Sequence, residues 1–182
     1  MKITSVATIA LLTLGAAAPT PLPDTNAPDG GVSSTSDAPV PPEIPVALLV
    51  DLSSGQTLFS REPDRRFVPA SVTKVMTAYT AFRLIDEGKL SPDTPVVVSK
   101  EVAELWSGEG SSMFLKAGDQ VIVGQLLLGV TTVSANDGAV MLAQIAAGSL
   151  AGWLDMMNAN AAELGIRDPH FGTPNGWPDE GR

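Results

Sequence analysis

Apolar residues recur along this chain with two different periods. Val46 to Leu52 is a short β-rich run, and Gln56 to Ser60 follows it across Ser53-Ser54-Gly55; this spacing predicts a β-hairpin closed by a glycine turn. From Val68 to Phe82 the order VPASVTKVMTAYTAF sets Val72, Val75, Met76, Tyr79 and Phe82 at helical spacing. That pattern predicts a helix opening near Ser71, just after Pro69, with those five residues as its apolar face. Ala70, Ala78 and Ala81 keep the remaining side small and apolar, so burial on all sides is expected. Gly88 stands where a glycine ends a helix, and Pro92 to Val98 reads as extended. Leu115 to Asp119 reads as a turn entering a second helix over Val123 to Val133, apolar at Val123, Leu126, Leu127, Val130 and Val133. After a break at Ser134-Ala135-Asn136, helix resumes from Asp137, a favourable N-cap, through Ala147. A last amphipathic helix is predicted from Ala151 to Leu164, with Trp153, Met157 and Leu164 as core residues on one face.

Composition narrows the chemistry. A chain of 182 residues with 44% hydrophobic and 17% charged residues can bury one sizeable core. The formal net charge of −9 and the lack of a basic patch argue against nucleic-acid binding. With no cysteine, disulfides, thiol catalysis and thiolate metal sites are excluded. One histidine, His170, is too few for a histidine-based zinc site and makes a Ser-His-Asp triad hard to build. No metal and no cofactor are therefore expected.

The N-terminus reads as a secretory signal peptide over residues 1–18: Lys2, then an apolar run from Val6 to Leu14, then small residues Gly15 to Ala18. Residues 19–45, dominated by Pro, Ala, Ser, Thr, Asp and Gly, read as a disordered linker, so that folding begins near Val46. Export to the periplasm or cell envelope follows.

Lys74 is the only charge between Val68 and Phe82. A lysine surrounded by apolar residues loses hydration, its pKa falls, and the neutral amine becomes available as a base. Ser71 lies three residues earlier on the same helical face, which sets a hydroxyl nucleophile beside that base. The competing readings are an N-cap serine and a lysine extended to water along its alkyl stem. An S-x-x-K match arises by chance roughly once in a chain of this size. The second signal is Ser134-Ala135-Asn136, two hydrogen-bonding side chains at i and i+2 in a break between apolar helices, able to point into one cavity. The joint occurrence is far rarer than either part.

Together these stretches resemble the serine D-alanyl-D-alanine carboxypeptidases, the low-molecular-mass penicillin-binding proteins. Pro69 to Thr77 (PASVTKVMT) is similar to the family's nucleophile segment, and Ser112 to Asp137 to its second-motif region. Val46 to Ser60 is similar to its opening hairpin, and Leu164 to Gly176 to the segment after the helical subdomain. The resemblance implies an α/β (α+β, two-subdomain) fold of the β-lactamase/transpeptidase type, an antiparallel sheet packed by helices plus a helical subdomain. It further implies that Ser71 attacks the D-Ala-D-Ala carbonyl of a peptidoglycan stem peptide and forms an acyl-enzyme. Lys74 takes the serine proton, Ser134 relays a proton to the leaving amine, and Asn136 binds the substrate amide. β-Lactams would acylate Ser71 by the same route.

The family's third motif, Lys-Thr-Gly, has no counterpart here: no lysine follows Asn136, and Lys116-Ala117-Gly118 precedes Ser134 within a matched turn. Residues 46–182 therefore read as the N-terminal part of a catalytic domain, with the C-terminal strands missing and weak or no activity expected of this chain alone. Membrane association would be possible only through that missing region. A class A β-lactamase is disfavoured, because no E-x-x-L-N string follows Ser134. A DD-endopeptidase acting on cross-links, and a non-catalytic penicillin- or peptidoglycan-binding fragment, remain as alternatives.

Overall fold

The computed structural model describes residues 40–166 and 170–178. The expected signal peptide and residues 19–39 of the expected linker lie outside the described residues. The chain divides into two units, up to Arg66 and from Phe67 onward.

In the first unit, β1 (Ala47–Val50) and β2 (Thr57–Arg61) form the expected antiparallel hairpin, in register Ala47↔Arg61, Leu48↔Ser60 and Leu49↔Phe59. Its turn is held by Asp51, which accepts from the Ser53 N–H and the Ser53 and Ser54 hydroxyls at 2.7–2.9 Å. Those hydroxyls, Ser54 first, keep the carboxyl below the usual carboxylate range. Gly55 supplies the positive φ that the turn needs. Arg61 donates to the carbonyls of Pro41 and Ile44, both at 2.7 Å, and so ties the preceding residues to the hairpin.

The second unit is mainly helical. A 3₁₀ turn (Ala70–Val72) runs into α1 (Thr73–Asp86), and β3 (Pro95–Val97) precedes α2 (Lys100–Trp106). Then follow β4 (Gln120–Ile122), α3 (Val123–Val133), α4 (Asn136–Ala147) and α5 (Leu150–Glu163). β3 and β4 pair antiparallel with Val96 opposite Val121. The helices α1, α3, α4 and α5 pack on one another around Met76, Leu126, Leu142, Trp153 and Met157, and α2 lies against α4. Among the described residues no single helix is long and apolar enough to cross a membrane.

The predicted helices at α1, α3, α4 and α5 all form, and Gly88 follows α1 with φ 68° as a C′ glycine does. Two elements were not expected, β4 and α2. Three residues support β4 and seven form α2, too few to display a period. The one advance signal for α2 is Ser99, whose hydroxyl accepts the Val102 N–H as an N-cap. Two expected core residues are not core: Val133 is 51% exposed and Leu164 37%, each at the end of its helix, past the last packed turn.

The larger correction concerns α1. Its expected apolar face is mostly outward, with Val72, Val75, Tyr79 and Phe82 exposed, and only Met76 is buried. The inner face is Thr73, Lys74, Thr77, Ala78, Thr80 and Ala81. Small side chains let the helices approach closely, and the hydroxyls of Thr77 and Thr80 are paired. Thr77 donates to the Pro174 carbonyl at 2.6 Å, and Thr80 accepts from the Asn160 amide at 3.0 Å. That amide's oxygen accepts in turn from Arg83, which also pairs with Glu87 and Glu163. Periodicity says which side of a helix is apolar; neighbours decide which side is covered. Thr80→Val, nearly isosteric, should therefore destabilise the chain by about 1–2 kcal/mol through the orphaned Asn160 N–H. Equilibrium denaturation measures it, and an unchanged midpoint would contradict the paired inner face.

Candidate active site

The 3₁₀ turn that carries Ser71 is strained at the residue just before it. Ala70 has φ 47°, in the left-handed region that a Cβ disfavours, at a cost of about 1–2 kcal/mol. Ser71 follows, and Lys74 lies one helical turn on, its Nζ 3.1 Å from Ser71 Oγ. The N-cap reading of Ser71 fails, since no side-chain cap bond closes either the 3₁₀ turn or α1. Lys74 does not reach water: it is 4% exposed, and its second partner is the backbone carbonyl of Asn175 at 2.9 Å. Burial pushes its pKa down from 10.5 to about 8. The geometry expected of the pair is present: a hydroxyl, a partly neutral amine within hydrogen-bond reach, and a fixed carbonyl that takes one amine N–H.

Ser134 ends α3 with φ 58° and ψ 38°. Its Oγ is buried and has no hydrogen-bond partner among the described residues. Asn136, 4% exposed, opens α4; its Nδ2 donates to Glu109 O and its N–H to Ser111 O, both at 2.8 Å. Asp137 is not the N-cap. Ala135 holds that position, and Asp137 turns inward from the first turn of α4. The first and second motifs share no hydrogen bond among the described residues. They are joined through a third stretch, Thr173 to Trp177.

That stretch was not expected to contribute. Asn175 O holds Lys74, and Pro174 O accepts from Thr77. Gly176, with φ 74°, lies so close to the Ala70 carbonyl that a Cβ there would overlap it. Trp177 packs edge-to-face on Trp106, with ring centroids 6.1 Å apart. Its ring and the Asn136 amide both crowd Gly110, where a Cβ would come within 3.1 Å of each. The turn holds itself: Thr173 Oγ1 accepts from Gly176 N–H and donates to Trp177 O, while Asn175 Oδ1 accepts from Trp177 N–H. Asn175 Nδ2 is buried without a partner. The only sequence signal was the dipeptide Asn175-Gly176, which announces a turn and not what the turn touches. Lys116-Ala117-Gly118 is indeed a turn, closed by Gly118 N–H on Val98 O at 2.9 Å and by Lys116 N–H on Asp119.

Solved structures share this arrangement of elements. The D-alanyl-D-alanine carboxypeptidase DacD of Francisella tularensis superposes with a TM-score of 0.70 at 34% identity, over 76% of this chain and 33% of that one. Penicillin-binding protein 5 of Haemophilus influenzae gives 0.69 at 34%, over 77% and 41%. The fold is the α/β fold of the penicillin-binding DD-peptidases. The model of the D-alanyl-D-alanine carboxypeptidase family matches residues 35–182, and the chain belongs to that family. DacD of Escherichia coli is 38% identical over 153 residues, and DacF of Bacillus subtilis 33% over 135. Those alignments take in 80% and 74% of this chain but 39% and 34% of the relatives, so the chain spans little more than a third of their length.

Proposed function

We propose that this chain carries the nucleophile half of a serine-type D-Ala-D-Ala carboxypeptidase that trims the terminal D-alanine from peptidoglycan stem peptides. The observation that carries the reading is the buried Lys74 Nζ, 3.1 Å from Ser71 Oγ. In this reading Lys74 accepts the Ser71 proton as Oγ attacks the carbonyl between the two D-alanines. Ser134, whose hydroxyl has no other partner, passes a proton to the leaving amine. Asn136 binds the substrate amide, and water then hydrolyses the acyl-enzyme. The Ser71 N–H, near the positive end of α1, contributes to the oxyanion hole. β-Lactams acylate the same oxygen. Residues 1–18 would direct export, 19–45 would be a spacer, and the periplasm or cell envelope would be the place of action.

Labelling with a fluorescent penicillin tests this directly. The wild-type chain should take up label and Ser71→Ala none; label persisting on Ser71→Ala, or absent from the wild type, would overturn the reading. A second reading is binding of penicillin or peptidoglycan peptide without turnover. Labelled protein that releases no D-alanine from a linear stem peptide would select it. Cleavage of cross-linked but not linear muropeptides would select an endopeptidase instead.

A further inference from the structure

Asp137 has no part in the chemistry described above, yet it is fully buried and every acceptor it offers is used. Oδ1 accepts from Met113 N–H at 3.0 Å and Gly138 N–H at 2.9 Å. Oδ2 accepts from Ser112 Oγ at 2.7 Å and Leu115 N–H at 3.0 Å. All four donors are neutral. A buried carboxylate is expensive, and a residue needed only to fill space would be better apolar. Three of its four bonds go to one stretch, Ser112 to Leu115.

That stretch anchors the loop before it. The Ser112 hydroxyl, while donating to Asp137, accepts from Gly108 N–H at 3.1 Å and Phe114 N–H at 2.9 Å. The loop so closed presents Glu109 O and Ser111 O to the side chain and backbone of Asn136. A carbonyl oxygen can only accept, so Glu109 O fixes which end of the Asn136 amide faces the loop. Nδ2 faces the loop, and Oδ1 faces the opposite way. Gly110, within the same loop, leaves room for the amide and for the Trp177 ring; a Cβ there would come within 3.1 Å of both.

We propose that Asp137 is a positioning residue for acyl transfer: through Ser112 to Leu115 it holds the 108–111 loop, and the loop holds the Asn136 amide in its substrate-binding orientation. The inference rests on the acyl-transfer reading of Ser71 and Asn136. It explains why acid and amide are adjacent in the chain: the same first turn of α4 grips the loop at two points.

A double-mutant cycle on the full chain tests it, read as the second-order rate constant for acylation by a fluorescent penicillin across pH. Asp137→Asn keeps the shape but sets an NH₂ against N–H donors; it should slow acylation about 10- to 100-fold, the scale of a small misplacement of a binding group. The midpoint of the pH profile should stay where Lys74 sets it. In an Asn136→Ala background, Asp137→Asn should have almost no further effect, because the group it positions is gone. Ser112→Ala keeps the carboxylate, serves if Asp137→Asn does not fold, and should show the same non-additivity with a smaller loss. Equal losses in both backgrounds, or a wild-type rate in both single variants, would overturn the inference alone. A wild-type chain that takes no label at Ser71 would overturn the acyl-transfer reading and this inference with it.

Discussion

Replacing Lys74 with methionine should lower the rate of Ser71 acylation by about 10³- to 10⁴-fold, at the upper end of what a general base contributes. A serine hydroxyl is a weak nucleophile until its proton has somewhere to go; Lys74 Nζ, which donates to Ser71 Oγ at 3.1 Å, is placed to accept that proton when neutral. The same lysine sets the pH dependence. Burial disfavours the ammonium and brings its pKa to about 8, so the neutral amine gains population as pH rises towards that value. The acylation rate should climb about tenfold per unit below pH 8 and level off above it. Stability should also rise with pH, but in a higher window than activity. In the folded chain the ammonium is disfavoured, so Lys74 destabilises the fold fully below pH 8, and this effect disappears between pH 8 and the unfolded value of 10.5. Lys74→Met should thus be more stable than wild type at pH 7, by about 1–2 kcal/mol once the lost bonds to Ser71 and Asn175 are allowed for, with the gain shrinking above pH 8. Stopped-flow labelling and denaturation at several pH values check both limbs. An acylation rate flat from pH 6 to 9, or a Lys74→Met variant within tenfold of wild type, would contradict the role.

Gly176→Ala should be the most damaging single methyl that can be added near this site. At φ 74° an alanine is strained by about 1–2 kcal/mol, and its Cβ would overlap the Ala70 carbonyl oxygen and press on Thr73 Oγ1. The nearer obstacle is backbone of the Ser71 turn, so it cannot swing aside as a side-chain tip does. The 173–177 stretch must lift, and Asn175 O then leaves Lys74 and Pro174 O leaves Thr77. A loss of about 3–4 kcal/mol is expected, with the melting temperature falling by roughly 8–15 °C. Acylation of the folded fraction should fall at least tenfold. Gly165→Ala is the control: its φ is 73°, but nothing lies within 4 Å of its Cβ, so only the backbone strain is added. If the two variants melt together, the close approach at Ala70 carries no weight.

How much of this was legible beforehand depended on sequence distance. Lys74 and Ser71 are three residues apart on one helix, so their encounter follows from helical geometry, and burial of the amine follows from apolar neighbours. α3 was predicted with its observed bounds because eleven residues carry a full 3.6 period. The threonine face of α1 was not foreseen, because its large apolar residues and its buried threonines lie on opposite sides. A threonine becomes a core residue only when partners such as Pro174 O and the Asn160 amide are brought to it. Asp137 was taken for a cap because short polar side chains at a helix start usually are; three of its four donors lie 22–25 residues earlier in the chain.

What the sequence determined by itself is therefore local: the hairpin, the helices, the closeness of Ser71 and Lys74, and the family in whose pattern Ser134 and Asn136 gain meaning. The tertiary structure alone decided what surrounds that pair. It brought Asn175 O to Lys74 across 101 residues of chain, set Gly176 against Ala70, and placed the 108–111 loop on Asn136. The reason is physical. Side chains a few residues apart meet because the backbone repeats, whereas a carbonyl a hundred residues away arrives only when the packing of α1, α4 and α5 carries it there, and no period in the sequence records that packing.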